Sequence, residues 1–334
     1  MKPLIDRNSG NAARFDPKAK AGHYESWFQR GNHPTRPLSF WLRYTVFSPQ
    51  GSPEEARGEL WAVYFDGESQ SITAVKEALP IAECAFSNEA LSVQIGTATL
   101  SDGFLQGTAK TMGKSVAWNL NYTSPEPPLL LLPAPRYDAT FPKAKALVGS
   151  PNAAYTGTLQ VEGQTIAVNQ WVGSQNHNWG QRHTDHYAWG QVAGFDDAPD
   201  AFLELTTARV RIGPVYSPFM TLAVLRLDGR EYCLNSLARA PFAKARFEYF
   251  DWSFARSGRG ARLQGRIHAP RKAFVALRYD NPPGGSKTCL NTKLATCELR
   301  VRVEGRAERT LHTQHRAAFE ILTCDDSHGL VELA

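Results

Sequence analysis

Apolar and polar residues alternate with a period of two along much of the chain. The pattern is clear in residues 40–46, and a second run rich in apolar residues covers residues 60–65. Because successive side chains of a strand point to opposite faces, this alternation predicts β-strands that bury one face. Sustained helical periodicity is nearly absent, and only short pieces such as residues 52–56 and 237–246 look helical.

Turn signals separate the predicted strands. Residues 222–227 and 231–234 flank Asp228-Gly229, a pair that is typical of two-residue hairpin turns. Two further turn pairs follow strand-like runs: Asp66-Gly67 and Glu162-Gly163. Many short strands joined by such turns predict an all-β fold, either a sandwich or an up-and-down barrel.

The length and a weak internal repeat indicate two domains. The 334 residues are too many for one typical core and suit two domains of about 150 residues each. Residues 23–27 and 185–189 each contain a His-Tyr pair followed by a tryptophan, and each precedes another predicted strand. Two similar barrels would show such a repeat if each opened with the same strand pair. We therefore predict an N-terminal barrel over residues 1–181 and a C-terminal barrel over residues 182–334.

Composition and charge exclude several classes of protein. Hydrophobic residues make up 42% and charged residues 21%, which argues against disorder. The net charge of +5 comes largely from residues 256–309, where arginines alternate with apolar residues and aromatic residues are few. Stacking on nucleic-acid bases would need interleaved aromatic side chains. We interpret this stretch as a solvated barrel surface and expect no nucleic-acid partner.

The chain shows no targeting or membrane signal. No apolar run follows the first basic residue, and no stretch approaches the roughly 20 apolar residues of a membrane helix. The five cysteines lack zinc-type spacing, so free thiols in a reducing cytoplasm are expected. A Cys289–Cys297 bridge across a hairpin is the less favoured alternative. We expect a cytoplasmic protein without an integral membrane segment, and the sequence leaves its oligomeric state open.

Side chains suited to catalysis or ligand binding are concentrated in residues 171–191. This segment holds three of the nine histidines and three of the eight tryptophans. His177, Trp179 and Gly180, followed by Trp189 at the start of a new strand, resemble the carotenoid 1,2-hydratase (hydroxyneurosporene synthase) family. Its relatives include the AttH-like proteins, the lipocalin-like Diels–Alderases and, more distantly, the tocopherol cyclases. Near the start of the chain, Glu25-Ser26-Trp27 is similar to the Glu-x-Trp opening of the same superfamily.

The resemblance implies a fold and a kind of chemistry. It implies two lipocalin-like (calycin) barrels packed together, with a ligand cavity at or near their junction. It also implies cofactor-independent chemistry, such as hydration or cyclisation, on an apolar polyene or prenylated substrate. The chain departs from the family at Asn176, where an acidic residue is common, so the resemblance does not fix the reaction. A non-catalytic lipocalin-like carrier of a hydrophobic metabolite is the alternative.

Protonating an alkene requires an acid in a dry cavity and aromatic faces that stabilise positive charge. Burial raises the pKa of a carboxyl group, so Glu25, Asp185 and Glu204 are candidate acids by their positions. His177, from the family motif, is the fourth candidate catalytic residue. The expected substrate-binding residues are aromatic or amide side chains: Trp27, Trp179, Tyr187, Trp189, Asn176, Asn178 and Gln191.

Structural roles compete with these functional ones. Glu25 could form an ion pair with Arg36 or Arg43, and Asp185 could cap a turn. Glu204 could face solvent, because alternation alone does not show which face is inside. Trp179-Gly180 could close the barrel, with the glycine allowing close backbone approach.

A metal site is a weaker hypothesis. Suitable ligand types are present in His177, His183, Asp185 and His186, but their spacing matches no standard zinc pattern. We expect no metal and no cofactor.

Overall fold

The computed structural model describes residues 6–333, and they form an all-β protein with a few short helical turns. The strands of the first sheet are β1 (His23–Asn32), β2 (Leu38–Ser48), β3 (Arg57–Asp66), β4 (Ser71–Pro80), β5 (Cys84–Phe86), β6 (Ser92–Ile95), β7 (Ala98–Ser101), β8 (Phe104–Thr111), β9 (Lys114–Thr123), β10 (Leu129–Leu130), β11 (Ala144–Val161) and β12 (Gln164–Gly180).

The strands of the second sheet are β13 (His186–Phe195), β14 (Ala198–Arg209), β17 (Met220–Leu227), β18 (Arg230–Leu234), β19 (Lys244–Glu248), β20 (Asp251–Ser257), β21 (Ala261–His268), β22 (Val275–Asp280), β23 (Ser286–Val303) and β24 (Arg309–Thr323). A separate small hairpin consists of β15 (Arg211–Ile212) and β16 (Val215–Tyr216). The α-helix α1 covers Arg7–Asn11, and 3-10 turns cover Pro53–Glu55, Ile81–Glu83, Ala134–Arg136, Leu237–Phe242 and Arg271–Ala273.

Both sheets follow the same plan, and both curl into barrels. The order β4-β3-β2-β1-β12-β11 in the first sheet corresponds to β18-β17-β14-β13-β24-β23 in the second. Each barrel therefore opens with two strands whose first member pairs with the last strand of its sheet. The chain passes from one sheet to the other between Gly180 and His186. The predicted boundary at residue 181 falls in this connection; that each half is a separate domain stays a prediction.

The first barrel closes where β4 meets β8. The backbone N–H of Lys76 donates to Thr111 Oγ1 at 3.1 Å, and that of Lys110 donates to Glu77 Oε2 at 3.0 Å. The second barrel is closed by the side chain of a buried arginine. Arg256 on β20 donates to the carbonyl oxygens of Leu234, Ser236 and Arg239, which joins β20 to the end of β18.

The hairpin predictions are confirmed. β11 and β12 are joined at Glu162-Gly163, where φ is 49° and 81°, and β17 and β18 at Asp228-Gly229, where φ is 52° and 69°. Positive φ at both central residues is the geometry that favours glycine in tight hairpins. The predicted strands at 40–46 and 60–65 lie within β2 and β3, and the helical prediction at 52–56 becomes a 3-10 turn at Pro53–Glu55.

Other details differ from the predictions. The helical piece expected at 237–246 ends at Phe242, because Lys244–Glu248 pairs with β20 as a strand. Several strands are long: β11 and β23 each span 18 residues and are interrupted by bulges. Cys84, Cys289, Cys297 and Cys324 are free thiols. The alternative of a Cys289–Cys297 bridge is wrong, because both thiols lie along the same strand, β23.

The barrels pack side by side through the outer faces of their sheets. On β2, every second residue, from Phe40 to Val46, belongs to the core inside the first barrel. Trp41, between them, packs outwards against Leu277 and Leu322 of the second barrel. β2 is therefore buried on both faces throughout its length. No helix among residues 6–333 is long and apolar enough to cross a membrane.

Candidate active site at the junction of the barrels

The junction is formed by alternate residues of β12 and β13. On β12, Ser174 and Asn176 face the second barrel, and on β13 Gln191 faces the first. Residues at the alternate positions of the same strands, such as Trp171 on β12 and Ala188 on β13, belong to the two barrel cores. Strand geometry thus divides the predicted site residues between barrel interior and junction according to their position along each strand.

Gln191 is the centre of a buried hydrogen-bond network. Its Oε1 accepts hydrogen bonds from Arg30 Nε and from Ser174 Oγ, the latter at 2.6 Å. Its Nε2 donates to Asn176 Oδ1 and to Glu204 Oε2, both at 2.8 Å. All five side chains are buried, and the network joins strands of both sheets. Buried polar groups that are fully paired in this way fix the relative position of the elements that carry them.

Glu204 is the buried carboxyl group of this network. Its Oε1 accepts a hydrogen bond from Trp189 Nε1 at 2.8 Å, and its side chain is almost completely inaccessible to solvent. Burial raises the pKa of Glu204 to about 7, although the hydrogen bonds from Trp189 and Gln191 and the charge of Arg30 oppose the rise. A substantial fraction of Glu204 is therefore protonated at neutral pH, as a general acid requires.

A buried ion pair also lies near the ring of Trp189. Lys293 Nζ donates to Glu320 Oε1 at 2.8 Å and to Asn291 Oδ1 at 2.6 Å. The ammonium group is 5.4 Å from the ring centroid of Trp189 and 5.5 Å from that of Trp41. The indole of Trp189 therefore donates its N–H to the Glu204 carboxyl group and has a paired cation over its ring.

Several junction side chains keep some accessible surface among fully buried neighbours. Phe28, Asn178, Tyr187 and Trp189 are only partly buried, whereas Arg30 and Gln191 are inaccessible. A side chain between two packed sheets is accessible only where the packing leaves room for a water-sized probe. Asn178 Oδ1 is buried without a hydrogen-bond partner in the described chain. The junction thus combines aromatic faces, an acid and an unused acceptor.

Glu25 and His177 meet inside the first barrel, not at the junction. His177 Nε2 lies 2.8 Å from Glu25 Oε1, and His23 Nε2 lies 3.0 Å from Glu25 Oε2. The backbone N–H of Arg14 donates to both carboxyl oxygens at 2.9 and 3.0 Å. Burial alone would raise the pKa of Glu25, but the hydrogen bonds from His177 and His23 bring it down to about 2.

The hydrogen-bond partners of His177 indicate which of its ring nitrogens carry a hydrogen. His177 Nδ1 lies 3.0 Å from the carbonyl oxygen of Gly10, which can only accept, so Nδ1 carries a hydrogen. Nε2 faces an anionic carboxylate and needs a hydrogen as well, whereas burial lowers the pKa of the imidazole. The charge of the Glu25 carboxylate therefore opposes the effect of burial on the pKa of the His177 imidazole.

The N-terminal segment covers this pair. Trp27 stacks on His177 with ring centroids 4.9 Å apart and donates from Nε1 to the carbonyl oxygen of Asn11 at 2.8 Å. The Arg14 guanidinium lies 3.8 Å from the Trp179 ring centroid. The segment containing α1 thus closes one end of the first barrel. The alternative pairing of Glu25 with Arg36 or Arg43 is wrong: Arg36 pairs with Glu68, and Arg43 donates to Ser26.

The predicted site residues therefore fall into three groups. Glu204, Asn176, Asn178, Tyr187, Trp189 and Gln191 lie at the junction, and Glu25, His177, Trp27 and Trp179 lie in the first barrel. Asp185 is in neither group: it pairs with Arg182 at 2.6 Å and accepts from the backbone N–H of Arg211 at 2.7 Å. The hypothesis that Glu204 faces solvent is wrong, because its side chain is buried.

Sequence reasoning missed Arg30 and Glu320. Each lies on a strand face that looks solvent-exposed by its polar residues, and each is buried because the other barrel covers that face. Their partners are distant in the chain: Arg30 and Gln191 belong to different barrels. Within residues 6–333, no group of three or more His, Cys, Asp or Glu side chains is arranged to hold a metal ion.

Comparison with known proteins shows which proteins this chain is similar to in sequence and in fold. No protein-family model matches the chain. Uncharacterised proteins from two strains of Mycobacterium tuberculosis, CDC 1551 / Oshkosh and ATCC 25618 / H37Rv, are each 26% identical over 318 residues, or 93% of this chain and 90% of theirs.

Solved structures share the fold at low sequence identity. Kievitone hydratase from Nectria haematococca has a TM-score of 0.62 at 10% identity, covering 96% of this chain and 94% of its own. CghA has a TM-score of 0.57 at 11% identity, covering 96% and 93%. A putative AttH from Nitrosomonas europaea has a TM-score of 0.54 at 12% identity, covering 97% and 99%. The chain has the fold of these proteins. The resemblance to AttH-like proteins is confirmed at the level of the fold.

Proposed function

We propose that the chain is a cofactor-independent enzyme of the lyase or isomerase type, acting on an apolar polyene or prenylated substrate at the junction of the barrels. Glu204 carries the proposal: it is buried between the sheets, held by Trp189 and Gln191, and has its pKa raised to about 7 by burial. A hydratase or cyclase uses such an acid to protonate a carbon–carbon double bond.

The proposed first step is proton transfer from the Glu204 carboxyl group to an alkene carbon. The π electrons form the new C–H bond, the neighbouring carbon becomes cationic, and Glu204 becomes a carboxylate. The aromatic faces of Trp189 and Phe28, which meet edge to face with centroids 5.9 Å apart, would stabilise the positive charge.

Two outcomes restore the acid without any oxidant or reductant. Water can add to the cationic carbon and return a proton to Glu204, which gives net hydration. Alternatively, a neighbouring C–H bond can return its proton to Glu204, which moves the double bond and gives isomerisation. Attack by a second double bond before deprotonation would give a cyclised product. The protein's task in each case is to orient the chain of the substrate and to control water.

The remaining junction residues have proposed roles beside this acid. Trp189 and Gln191 position the Glu204 carboxyl through their N–H groups. Asn178 offers its unpaired Oδ1 to a hydroxyl group of the substrate. Asn176 is already bonded to Gln191 and Ser174, so we assign it to positioning Gln191.

We assign a structural role to the other predicted acids. Hydrogen bonds hold the pKa of Glu25 at about 2, which makes it a poor proton donor at neutral pH, and the N-terminal segment covers it. The pKa of Asp185 is also lowered: burial would raise it, but the hydrogen bond from the Arg211 N–H and the charges of Lys287 and Arg182 prevail. Among the four candidate catalytic residues, Glu204 is the one suited to give up a proton.

The structural neighbours favour this class of chemistry. One of the proteins with the same fold is, by its name, a hydratase. The carotenoid 1,2-hydratase resemblance of His177, Trp179 and Gly180 points to the same kind of reaction. Polyenes and prenylated compounds are therefore the substrates to test first.

Solvent exchange tests the proposal whatever product the reaction gives. Purified protein is first examined by native mass spectrometry for a bound polyene or prenylated compound. Such compounds are then incubated with the protein in D₂O, and deuterium in the recovered substrate or product is measured. We expect deuterium incorporation by the wild type and a loss of at least about a hundredfold in Glu204→Gln. The exposed carboxyl of Glu298 provides the control, and Glu298→Gln should incorporate normally.

The same experiment separates an enzyme from a carrier. If the wild type and Glu204→Gln bind a polyene equally and neither incorporates deuterium or forms product, the protein is a non-catalytic carrier. If binding is saturable and only Glu204→Gln has lost exchange, the acid role stands.

A further inference from the structure

A cavity of about 610 Å³ opens at one end of the second barrel. It is lined by residues at the start of β13 and at the ends of β14 and β24, together with β19. Ile321 contributes to its wall and belongs to the apolar core inside the second barrel. His186 lines the cavity, whereas Tyr187 next to it packs against the cluster between the barrels. The cavity is therefore the mouth of the second barrel, on the opposite face of β13 from the junction.

Aromatic rings surround this mouth. His186 lies with its ring centroid 4.9 Å from that of Phe247 and 5.7 Å from that of Phe219, and Phe219 and Phe247 are 5.3 Å apart. All three pairs meet edge to face, and Tyr249 lines the same cavity. Burial lowers the pKa of His186, which keeps its ring neutral at physiological pH. Such walls suit a flat, apolar ligand body.

Arg209 supplies a cation at the edge of these walls. Its guanidinium group lies 4.5 Å from the ring centroid of Tyr216 and 4.9 Å from that of Phe219. No carboxylate of the described chain lies within ion-pair distance of it, and its Nε is buried without a hydrogen-bond partner. An arginine held against two aromatic rings, without a counter-ion, is arranged to pair with an anionic group such as a carboxylate.

The acids around the mouth already have partners. Asp185 is bound by Arg182 and by the backbone N–H of Arg211, and Glu248 pairs with Arg246. Asp325 accepts hydrogen bonds from the backbone N–H and the hydroxyl of Ser327 at 2.9 and 2.8 Å. Among the described charged residues of the lining, Arg209 is therefore the one with neither an ion pair nor a side-chain hydrogen bond.

We propose that the mouth of the second barrel is a binding site for a planar aromatic or polyene acid. The apolar body of the ligand lies between Phe247 and Tyr249 and points towards Ile321, and its carboxylate pairs with Arg209. The volume falls within the usual range of small-molecule sites, about 300–1,000 Å³. This site is separate from the junction and does not depend on Glu204.

The probe for this site is 1-anilinonaphthalene-8-sulfonate, a flat aromatic anion whose fluorescence rises on binding. Cys324 reports where it binds, because its exposed side chain lines the cavity. In a Cys84→Ser/Cys233→Ser background, the two remaining cysteines other than Cys324 are buried. We expect saturable binding, and we expect saturating probe to slow alkylation of Cys324 by N-ethylmaleimide at least tenfold.

Charge variants test the role of Arg209. Arg209→Met should weaken probe binding at least tenfold while the melting temperature stays within a few degrees. Arg211→Met is the matched control, because it removes a nearby positive charge from an exposed residue outside the cavity lining. Its effect should be less than twofold. Phe247→Ala, on the edge strand β19, removes an apolar wall and should weaken binding severalfold, which provides a second test if Arg209→Met does not fold.

Three results would each overturn the proposal. They are the absence of saturable binding, binding that leaves Cys324 alkylation unchanged, and equal weakening by Arg209→Met and Arg211→Met. The second result would place the probe elsewhere, and the third would show a general effect of charge.

Discussion

The indole N–H of Trp189 donates to Glu204 at 2.8 Å, and both side chains lie where two barrels of one chain pack together. This bond favours the ionised carboxylate, whereas burial favours the protonated acid, and burial has the larger effect. Trp189 therefore holds the Glu204 carboxyl group in position and lowers its affinity for a proton. A carboxyl group poised in this way titrates near neutral pH, and its behaviour can be measured even before a substrate is known.

The stability of the wild type should fall as pH rises from about 4.5 to about 7 relative to that of Glu204→Gln. The folded protein binds the Glu204 proton more tightly than the unfolded chain, so this contribution is complete below the ordinary pKa of 4.5 and is lost through about 7. The change amounts to about 3 kcal/mol at most. Urea unfolding at pH 5 and pH 8 measures it, and Glu298→Gln should keep the wild-type slope. Equal slopes for wild type and Glu204→Gln would show that Glu204 has an ordinary pKa.

Trp189→Phe should shift the pH dependence of Glu204 upwards. The variant keeps an aromatic ring but removes the N–H that favours the carboxylate, so the pKa of Glu204 rises above about 7. The pH at which deuterium exchange falls by half, or at which stability becomes independent of pH, should increase by about half a unit to one unit. If this pH midpoint decreases or does not change in Trp189→Phe, the hydrogen bond from Trp189 does not lower the pKa of Glu204.

Glu25→Gln should remove acid sensitivity from the first barrel. The folded pKa of about 2 lies below the ordinary value of 4.5, so Glu25 stabilises the fold above pH 4.5 and this stabilisation is lost as pH falls towards 2. We expect the variant to be about 3 kcal/mol less stable at pH 7 and less dependent on pH below 4.5. Denaturant unfolding between pH 2.5 and 7 tests this, with Glu304→Gln as an exposed control. A variant that matches the wild type throughout would refute the structural role of Glu25.

Lys293 and Glu320 should show strong coupling. Lys293→Met leaves a buried carboxylate without its cation and should cost about 3–5 kcal/mol of unfolding free energy. The double variant Lys293→Met/Glu320→Met buries no unpaired charge and should recover most of this loss. A double-mutant cycle by urea unfolding measures the coupling. Additive losses in the double variant would indicate that the two charges do not depend on each other.

The elements of the fold were predictable because turns and alternation are local. The turn at Asp228-Gly229 needs positive φ at two successive residues, which its sequence indicates directly. The alternation in β21 also predicts its faces correctly: Arg262 and Gln264 are exposed, and Leu263 is buried. For strands at the outer surface of the protein, a polar residue does indicate the side that faces water.

The same reasoning fails where the barrels meet. Every residue of β2 is buried, so polar residues such as Arg43 do not indicate solvent. Which outer face of a barrel becomes covered depends on how the two barrels pack, and that depends on contacts between residues far apart in the chain. Gln191 and Asn176 were predicted as ligand-binding amides, but their partnership and the insertion of Arg30 beside them require the packing itself. The sequence therefore predicted individual residues of the candidate site but not the contacts that these residues make with one another.

Alternate residues of strand β13 face two different proposed sites, the mouth of the second barrel and the junction. His186 lies at the mouth of the second barrel, whereas Tyr187, Trp189 and Gln191 face the junction. A substitution at one position of β13 therefore alters one of these sites and leaves the other unchanged, because successive side chains point to opposite faces. The two sites can diverge independently during evolution. An insertion or deletion of one residue would move each side chain to the opposite face of the strand and would damage both sites at once. Evolution can therefore substitute single residues of β13 more easily than it can change the length of the strand.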